Sequence, residues 1–391
     1  MAEPTRPDVL ELTQQLIAIE SHRLCEGREA AIGKYLLEWL TARGIEASLQ
    51  PAVGERANLI ARIPGGEGPS LMLCGHLDTV PAGDMAGAFR PKVEEGVLWG
   101  RGACDMKGAV AAMACTLSEV KRAMEESSAS LAGDLLFVGT VDEETGGLGV
   151  KALVDSGLRT TYAVVGEPTS LRVALAHKGA CFVRIALTGQ GAHGSCPEEG
   201  VSAVSYAARV VRAIEEELRP RLVERTHPLL GSSTVNVGRV CGGTQPNIVA
   251  ERCEIDIDRR TVPGDDAPLE EIVRLVEGVC SGVDGLGVEI DEMEMTSVVP
   301  HTALETPASS PVAEAALAAA SGIDTSPSPV TPVGVTYWTD GGHLSEHGIE
   351  TIILGPGDIA DAHGPRDRVA VRDLEAAVRI YRRIVASCLG A

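Results

Sequence analysis

Four short apolar runs in this chain each stop at a polar cluster rich in histidine or carboxylate. LMLCG precedes His76 and Asp78, and DLLFVGT precedes Asp142, Glu143 and Glu144. AVVG precedes Glu167, and TIIL precedes the Gly/Pro-rich loop that holds His363. Apolar runs of this length bounded by turn residues read as buried strands, here 58–63, 70–74, 134–140, 162–165 and 351–354. Segments of helical period alternate with them at 8–45, 105–122, 312–320 and 372–388. That alternation predicts an α/β sheet covered by helices on both faces. In open sheets of this kind, ligands gather beyond the carboxyl ends of the strands, where these polar clusters fall.

The pattern changes in the middle of the chain. Residues 180–188 alternate like a half-exposed strand and are followed by a helix over 201–218. Strands at 233–240 and 251–258 flank the turn-rich CGGTQPN, then come a helix at 268–278 and a strand at 287–293. This β-α-β-β-α-β order is a self-contained unit with antiparallel character. The expected organisation is a discontinuous α/β catalytic domain, 1–178 and 296–391, interrupted by an inserted α+β domain at 179–295. There are no internal repeats, and the Ser/Pro/Thr tract 324–332 reads as a loop.

Composition narrows the function classes. Of 391 residues, 44% are hydrophobic and 23% charged, ordinary for a globular chain and too apolar for a disordered one. No apolar run approaches the ~18–20 residues of a membrane-spanning helix. Against 34 basic side chains stand 55 acidic ones, a balance of −21 that disfavours nucleic acid and anionic membranes as partners. The opening MAEPTRPDVLELTQQ lacks a basic stretch followed by an apolar one, so no secretory signal is expected. The ten cysteines form no CxxC pair and sit mostly in apolar runs, which reads as reduced thiols in a cytoplasmic protein.

The acidic and histidine residues carry the chemistry. In an extended segment His76 and Asp78 share a face, so the carboxylate can lie beside the imidazole; metal-bound histidines commonly donate their second N–H to such a group. Asp105, in GRGACDMKG, suits either a ligand or a helix N-cap. Adjacent acids such as Glu143 and Glu144 at a strand end repel one another unless a cation compensates them. With Glu167 and His363 the set offers two imidazoles and three or more carboxylates, each just after a strand, and no cysteine. Such a set fits two divalent ions of the Zn²⁺ or Co²⁺ type at a hydrolytic site.

The stretches GHLDTVPAG, GRGACDMKGAVAAM, VDEETGG, GEPTS, GAHGS, IDRRTVPGD, TDGGHLSEHGI and GPGDIADAHGPRDRV run in order over most of the chain. Together they resemble the M20 family of co-catalytic metallopeptidases, in its acetylornithine deacetylase / succinyl-diaminopimelate desuccinylase branch. The resemblance implies a mixed-sheet catalytic domain with helices on both faces, interrupted by a βαββαβ dimerisation or lid domain. It implies that His76 and Glu167 hold one metal and Glu144 and His363 the other, with Asp105 bridging. By the same resemblance Asp78 orients His76 and Glu143 is the general base. His193 then binds the oxyanion from the partner subunit, and Asn247 and Arg260 bind substrate carboxylate, with Arg259 the alternative to Arg260. The turn Thr339-Asp340-Gly341 helps shape the pocket. His22, His177, His227, His301, His343 and His347 match no ligand position and read as surface or structural.

The expectation is therefore a cytoplasmic, homodimeric, di-metal amidohydrolase, with Zn²⁺ first and Co²⁺ second as the metal. It would cleave the amide of an N-acyl amino acid of the N-acetyl or N-succinyl type. The alternative is a metallo-exopeptidase of the same family, a dipeptidase or carboxypeptidase acting on short peptides. A non-catalytic relative would have lost the base or a ligand. A nucleotide-binding enzyme is disfavoured, because GRGACDMKG has neither dinucleotide-fingerprint nor P-loop spacing and follows a turn-like VEEGVLW.

Overall fold

The apolar runs that end in acids and histidines form the parallel centre of one sheet. The computed structural model describes residues 8–294, 298–323 and 330–390. Leu71–His76 pairs in parallel with Leu135–Thr140 on one side and Tyr162–Val165 on the other, and Glu350–Ile353 extends the parallel set beyond the latter. Every residue of the first three strands is buried. Strands covered on both faces read as continuous apolar runs, as these do. Arg56–Ile63 and Glu46–Val53 add antiparallel strands at one end, and Ala174–His177, Leu304–Glu305 and Val333–Val335 complete a nine-stranded mixed sheet.

Helices cover both faces. Val9–Ile17, Gly108–Ser127, Pro311–Ala320 and Val371–Leu389 pack among themselves and on the central strands. Ala30–Thr41, Leu148–Asp155 and Asp340–Glu346 form the second group. The first half of Gly108–Ser127 is buried all round, which its small residues permit. A side chain at Gly108 would meet the Ala103 carbonyl at 2.6 Å and Leu374 at 2.8 Å, so the helix can start there only with glycine.

The chain divides into two compact units, one of Met1–Ala176, Leu304–Val335 and Thr339–Ala391, the other of His177–Ala303 and Thr336–Trp338. The second contains a four-stranded antiparallel sheet ordered Thr234–Gly242, Arg252–Thr261, Gly179–Thr188, Gly287–Glu292. Val183, Ile185, Leu187, Ile255 and Ile257 point to one face and form a core with Val210, Ile214, Ile272 and Val276 of the helices. Alternate residues on the other face pair their charges, as Arg184 does with Asp256 at 2.7 Å. Period-two alternation thus fixes which face takes the helices.

Several expectations are corrected. The helical stretch 8–45 ends its first segment early: the helices are Val9–Ile17 and Ala30–Thr41, parted by a turn in which Gly27 and Arg28 take positive φ. The helix over 201–218 starts at Ala203, capped by Ser202, and continues to Glu224 through a wide turn at Ile214–Leu218. Pro220, which has no N–H to bond back, lies just after that wide turn. The turn-like VEEGVLW is a hairpin of Lys92–Glu94 and Val97–Trp99. Its tip, Glu95-Gly96, has positive φ at both residues, the geometry favoured for tight hairpins. Most of the tract 324–332 lies outside the described residues. All ten cysteines are free, six of them buried. No described helix is long and apolar enough to cross a membrane.

Candidate metal centre

Because the central strands are parallel and His76 is opposite Thr140, the segments leaving them emerge along one edge. His76 ends its strand, Glu143 and Glu144 follow the next, Glu167 follows Tyr162–Val165, and His363 follows Glu350–Ile353. Asp105 enters from Ala103–Lys107, an irregular turn whose Asp105–Met106 peptide is cis. The N-cap alternative for Asp105 fails, since the helix begins at Gly108 after Lys107 and Asp105 is 5% exposed.

Asp105 lies between the two histidines. His76 Nε2 is 2.9 Å from its Oδ1, and His363 Nε2 is 2.9 Å from its Oδ2. Glu144 Oε2 is 3.2 Å from His363 Nε2, and Glu167 Oε1 is 3.8 Å from His76 Nε2. The ligand atoms of His76, Asp105 and Glu144 all lie within 4.8 Å of one another. Asp78 sits behind this group. His76 Nδ1 is 3.0 Å from the Asp78 carbonyl, which fixes a proton on Nδ1 and turns Nε2 toward Asp105. The Asp78 carboxylate in turn accepts the N–H groups of Glu143 at 3.2 Å and Glu144 at 3.0 Å. His363 takes positive φ, so its ring is aimed by a backbone state unusual for histidine.

The electrostatics describe a site short of positive charge. Burial pushes Glu143 and Glu167 well above the usual carboxylate range, with neighbouring acids adding to the effect. Burial also pushes Asp78 up to about 8. For Asp105 burial is outweighed by the hydrogen bonds from His363 and His76, which hold its carboxyl well below its ordinary value. The hydrogen bonds that His363 donates to Asp105 and Glu144 raise its own pKa to about 10. Carboxylates this crowded need cations to remain ionised together. Two imidazoles and three carboxylates with no thiolate are a donor set for divalent metal ions, so the residues present fit such a centre.

Support for the loops comes from residues that the sequence reading missed. Asp367 accepts N–H groups from Gly102 at 2.7 Å and Cys104 at 2.9 Å, and pairs with the buried Arg101 at 3.1 Å. Arg101 also donates to the carbonyls of Pro81, Ala82, His363 and Gly364. This pair therefore ties the Asp105 turn to the His363 loop. Asp142, the first of the three consecutive acids, is held away from the ligand group by Arg56 at 2.7 Å, which also bonds Glu29 at 3.0 Å. The only sequence hint was that Arg101 and Asp367 lie within the motifs GRGACDMKG and GPGDIADAHGPRDRV. Asp367→Ala leaves Arg101 buried without its partner and is expected to cost about 3–5 kcal/mol of stability, read by thermal or denaturant unfolding. A loss under about 1 kcal/mol would contradict this role for the pair.

Thr339, Asp340 and Gly341 are buried. Thr339 caps Asp340–Glu346 by accepting the Gly341 N–H, and Asp340 accepts the Thr140 hydroxyl at 2.7 Å. In the second unit, His193 is exposed and bridged to Ile248, with Gly194 N–H donating to the Asn247 carbonyl at 2.8 Å, so His193 and Asn247 are neighbours. Arg259 is buried, bonded to Asp265 at 2.5 Å, which leaves it no reach to a ligand. Arg260 is partly exposed and paired with Asp258 at 2.8 Å.

A mixed α/β sheet with this donor set along the carboxyl edge of its parallel strands defines a metal-dependent hydrolase. The comparisons agree in detail: the profile of Peptidase family M20/M25/M40 matches residues 72–387, and the chain belongs to that family. It is 34% identical over 365 residues to an acetylornithine deacetylase of Myxococcus xanthus, covering 90% of each chain. An acetylornithine deacetylase of Vibrio cholerae is 30% identical over 396 residues, covering 96% of this chain and 97% of its own. Among solved structures, aminopeptidase PepT of Bacillus cereus superposes with a TM-score of 0.79 at 23% identity, covering 98% of this chain and 99% of that one. The YXEP protein of Bacillus subtilis, described as a dinuclear metal binding peptidase from the M20 family, gives 0.69 at 17% identity, covering 96% of each.

Proposed function

We propose that this chain is a di-metal amidohydrolase that cleaves the amide bond of an N-acyl amino acid, of the N-acetyl or N-succinyl type. The observation that carries this reading is Asp105 between His76 and His363, with one carboxylate oxygen toward each. The likeness to acetylornithine deacetylases over nearly the whole chain supports the substrate class. His76 and Glu167 would hold one cation, Glu144 and His363 the other, and Asp105 both. Zn²⁺ is the first candidate for an imidazole–carboxylate set and Co²⁺ the second. When bound, the pair supplies Lewis-acid polarisation of the scissile carbonyl and a more acidic water.

The chain's own groups do the rest. Asp78 holds His76 in the tautomer that presents Nε2. Glu143 takes the proton of the attacking water and delivers it to the leaving nitrogen, so that a carboxylate and a free amine depart. His193 donates to the developing oxyanion. Asn247 and Arg260 take the substrate carboxylate, Arg260 by its two-donor fork, and Asp340, set by Thr339 and Gly341, lines the pocket beside Thr140. Residues 179–295 act as the dimerisation and lid domain of a homodimer, through which the partner subunit's His193 reaches the site. The enzyme works in the cytoplasm on a small molecule.

Amine release from N-acetyl-ornithine, N-succinyl-diaminopimelate, other N-acyl amino acids and dipeptides tests the reading, with chelator treatment followed by Zn²⁺ or Co²⁺. Release from one acyl class that is lost with chelator and restored by metal is the expected result. Preference for dipeptides instead makes the enzyme an exopeptidase. His193→Ala is expected to lower turnover about 10²- to 10³-fold with metal content unchanged; wild-type turnover removes His193 from the mechanism.

A further inference from the structure

A second group of ligating side chains lies outside the centre described above. His343, Glu346 and His347 occupy positions i, i+3 and i+4 at the end of the helix Asp340–Glu346, a spacing that stacks them on one face. One ligand atom from each lies within 4.8 Å of the other two. His343 Nδ1 is 3.4 Å from Glu346 Oε2, and the two imidazoles meet edge to face with centroids 4.7 Å apart.

Two details point to a cation rather than to packing alone. His343 is 6% exposed, and its Nδ1 is buried with no hydrogen-bond partner. A buried nitrogen left so costs free energy unless something satisfies it. His347 Nδ1 lies 2.8 Å from the His343 carbonyl. A carbonyl only accepts, so that nitrogen carries the proton and Nε2 keeps a free lone pair. Histidines that bind metals are commonly oriented by this kind of bond from the second ring nitrogen to a backbone carbonyl. Burial, with His347 beside it, also lowers the His343 pKa, which favours the neutral, ligating imidazole. The helix carboxyl end adds negative potential. On the adjoining helix Leu148–Asp155, the Asp155 carboxylate, held by Lys151, is within electrostatic reach of both rings.

We propose that His343, Glu346 and His347 form a third divalent-cation site, separate from the Asp105 centre and suited to a borderline cation such as Zn²⁺. Two imidazoles and one carboxylate are a three-ligand zinc set, with water available for the fourth position. Bound there, the ion would brace the end of Asp340–Glu346, the helix whose first turn carries Asp340.

Equilibrium dialysis of the full chain against buffered Zn²⁺, read by elemental analysis, tests this. Wild type is expected to hold three equivalents per chain and His347→Ala two, with its turnover kept. Glu346→Gln, at an exposed carboxylate whose loss leaves the fold intact, should weaken the third equivalent at least about tenfold. Asp105→Ala should still retain the equivalent that His347→Ala loses. Two equivalents in the wild type, or three in His347→Ala with unchanged affinity, would overturn the proposal.

Discussion

Glu143→Gln is expected to cut turnover roughly 10²- to 10⁴-fold while the protein keeps its full metal content. Glu143 and its neighbour differ in what they touch. Glu144 reaches His363 at 3.2 Å and belongs to the ligand group, whereas Glu143 makes no such contact and is held by its backbone N–H to Asp78. Its carboxyl is raised by burial and by the acids around it, so it has a proton-accepting capacity an exposed glutamate lacks. Glutamine keeps the shape and removes the base. Turnover and metal content measured on the same preparation decide the matter. A parallel fall in both would make Glu143 a ligand, and undiminished turnover would remove it from the chemistry.

Asp105→Ala is expected to abolish measurable turnover and to release metal together with it. Both carboxylate oxygens are engaged, one toward each histidine, so the substitution strips a donor from both halves of the centre at once. It also leaves His76 without the hydrogen bond that, with Glu167 and Glu143, outweighs burial and holds its pKa high. A residue that merely capped a helix would cost about 1 kcal/mol of stability and leave metal content alone. Elemental analysis of the folded variant, beside its unfolding curve, distinguishes the two. Two equivalents retained in addition to the one lost in His347→Ala would mean that Asp105 does not bridge.

Much of the site was legible in the chain because its parts have local signatures. An apolar run ending in His, Glu-Glu or Gly-Glu-Pro shows both a buried strand and what its carboxyl end presents. Alternation in 180–188 foretold a half-exposed strand for the same reason: one face of it is wet, and side chains alternate with period two. The family motifs then assigned roles that spacing alone left open, including the choice of Asp105 as ligand over cap.

What the sequence determined by itself was therefore the strands, the helix faces and which chemically capable residues stand at strand ends. Only the tertiary structure decided which of them meet. Arg101 and Asp367 are 266 residues apart, and nothing near either one announces the other. Asp142 looked like a third member of an acidic triplet until Arg56 and Glu29, from distant segments, claimed it. Arg259 and Arg260 are adjacent and chemically identical, yet strand register buries one against Asp265 and leaves the other partly open. His343 and His347 matched no ligand position; a buried, unpartnered ring nitrogen on one and a carbonyl bond on the other single them out. Period, capping and turn propensity act over a few residues and are written locally. Charge pairing and ligand convergence are set by which distant segments the sheet brings side by side, and a linear pattern carries no distance between them.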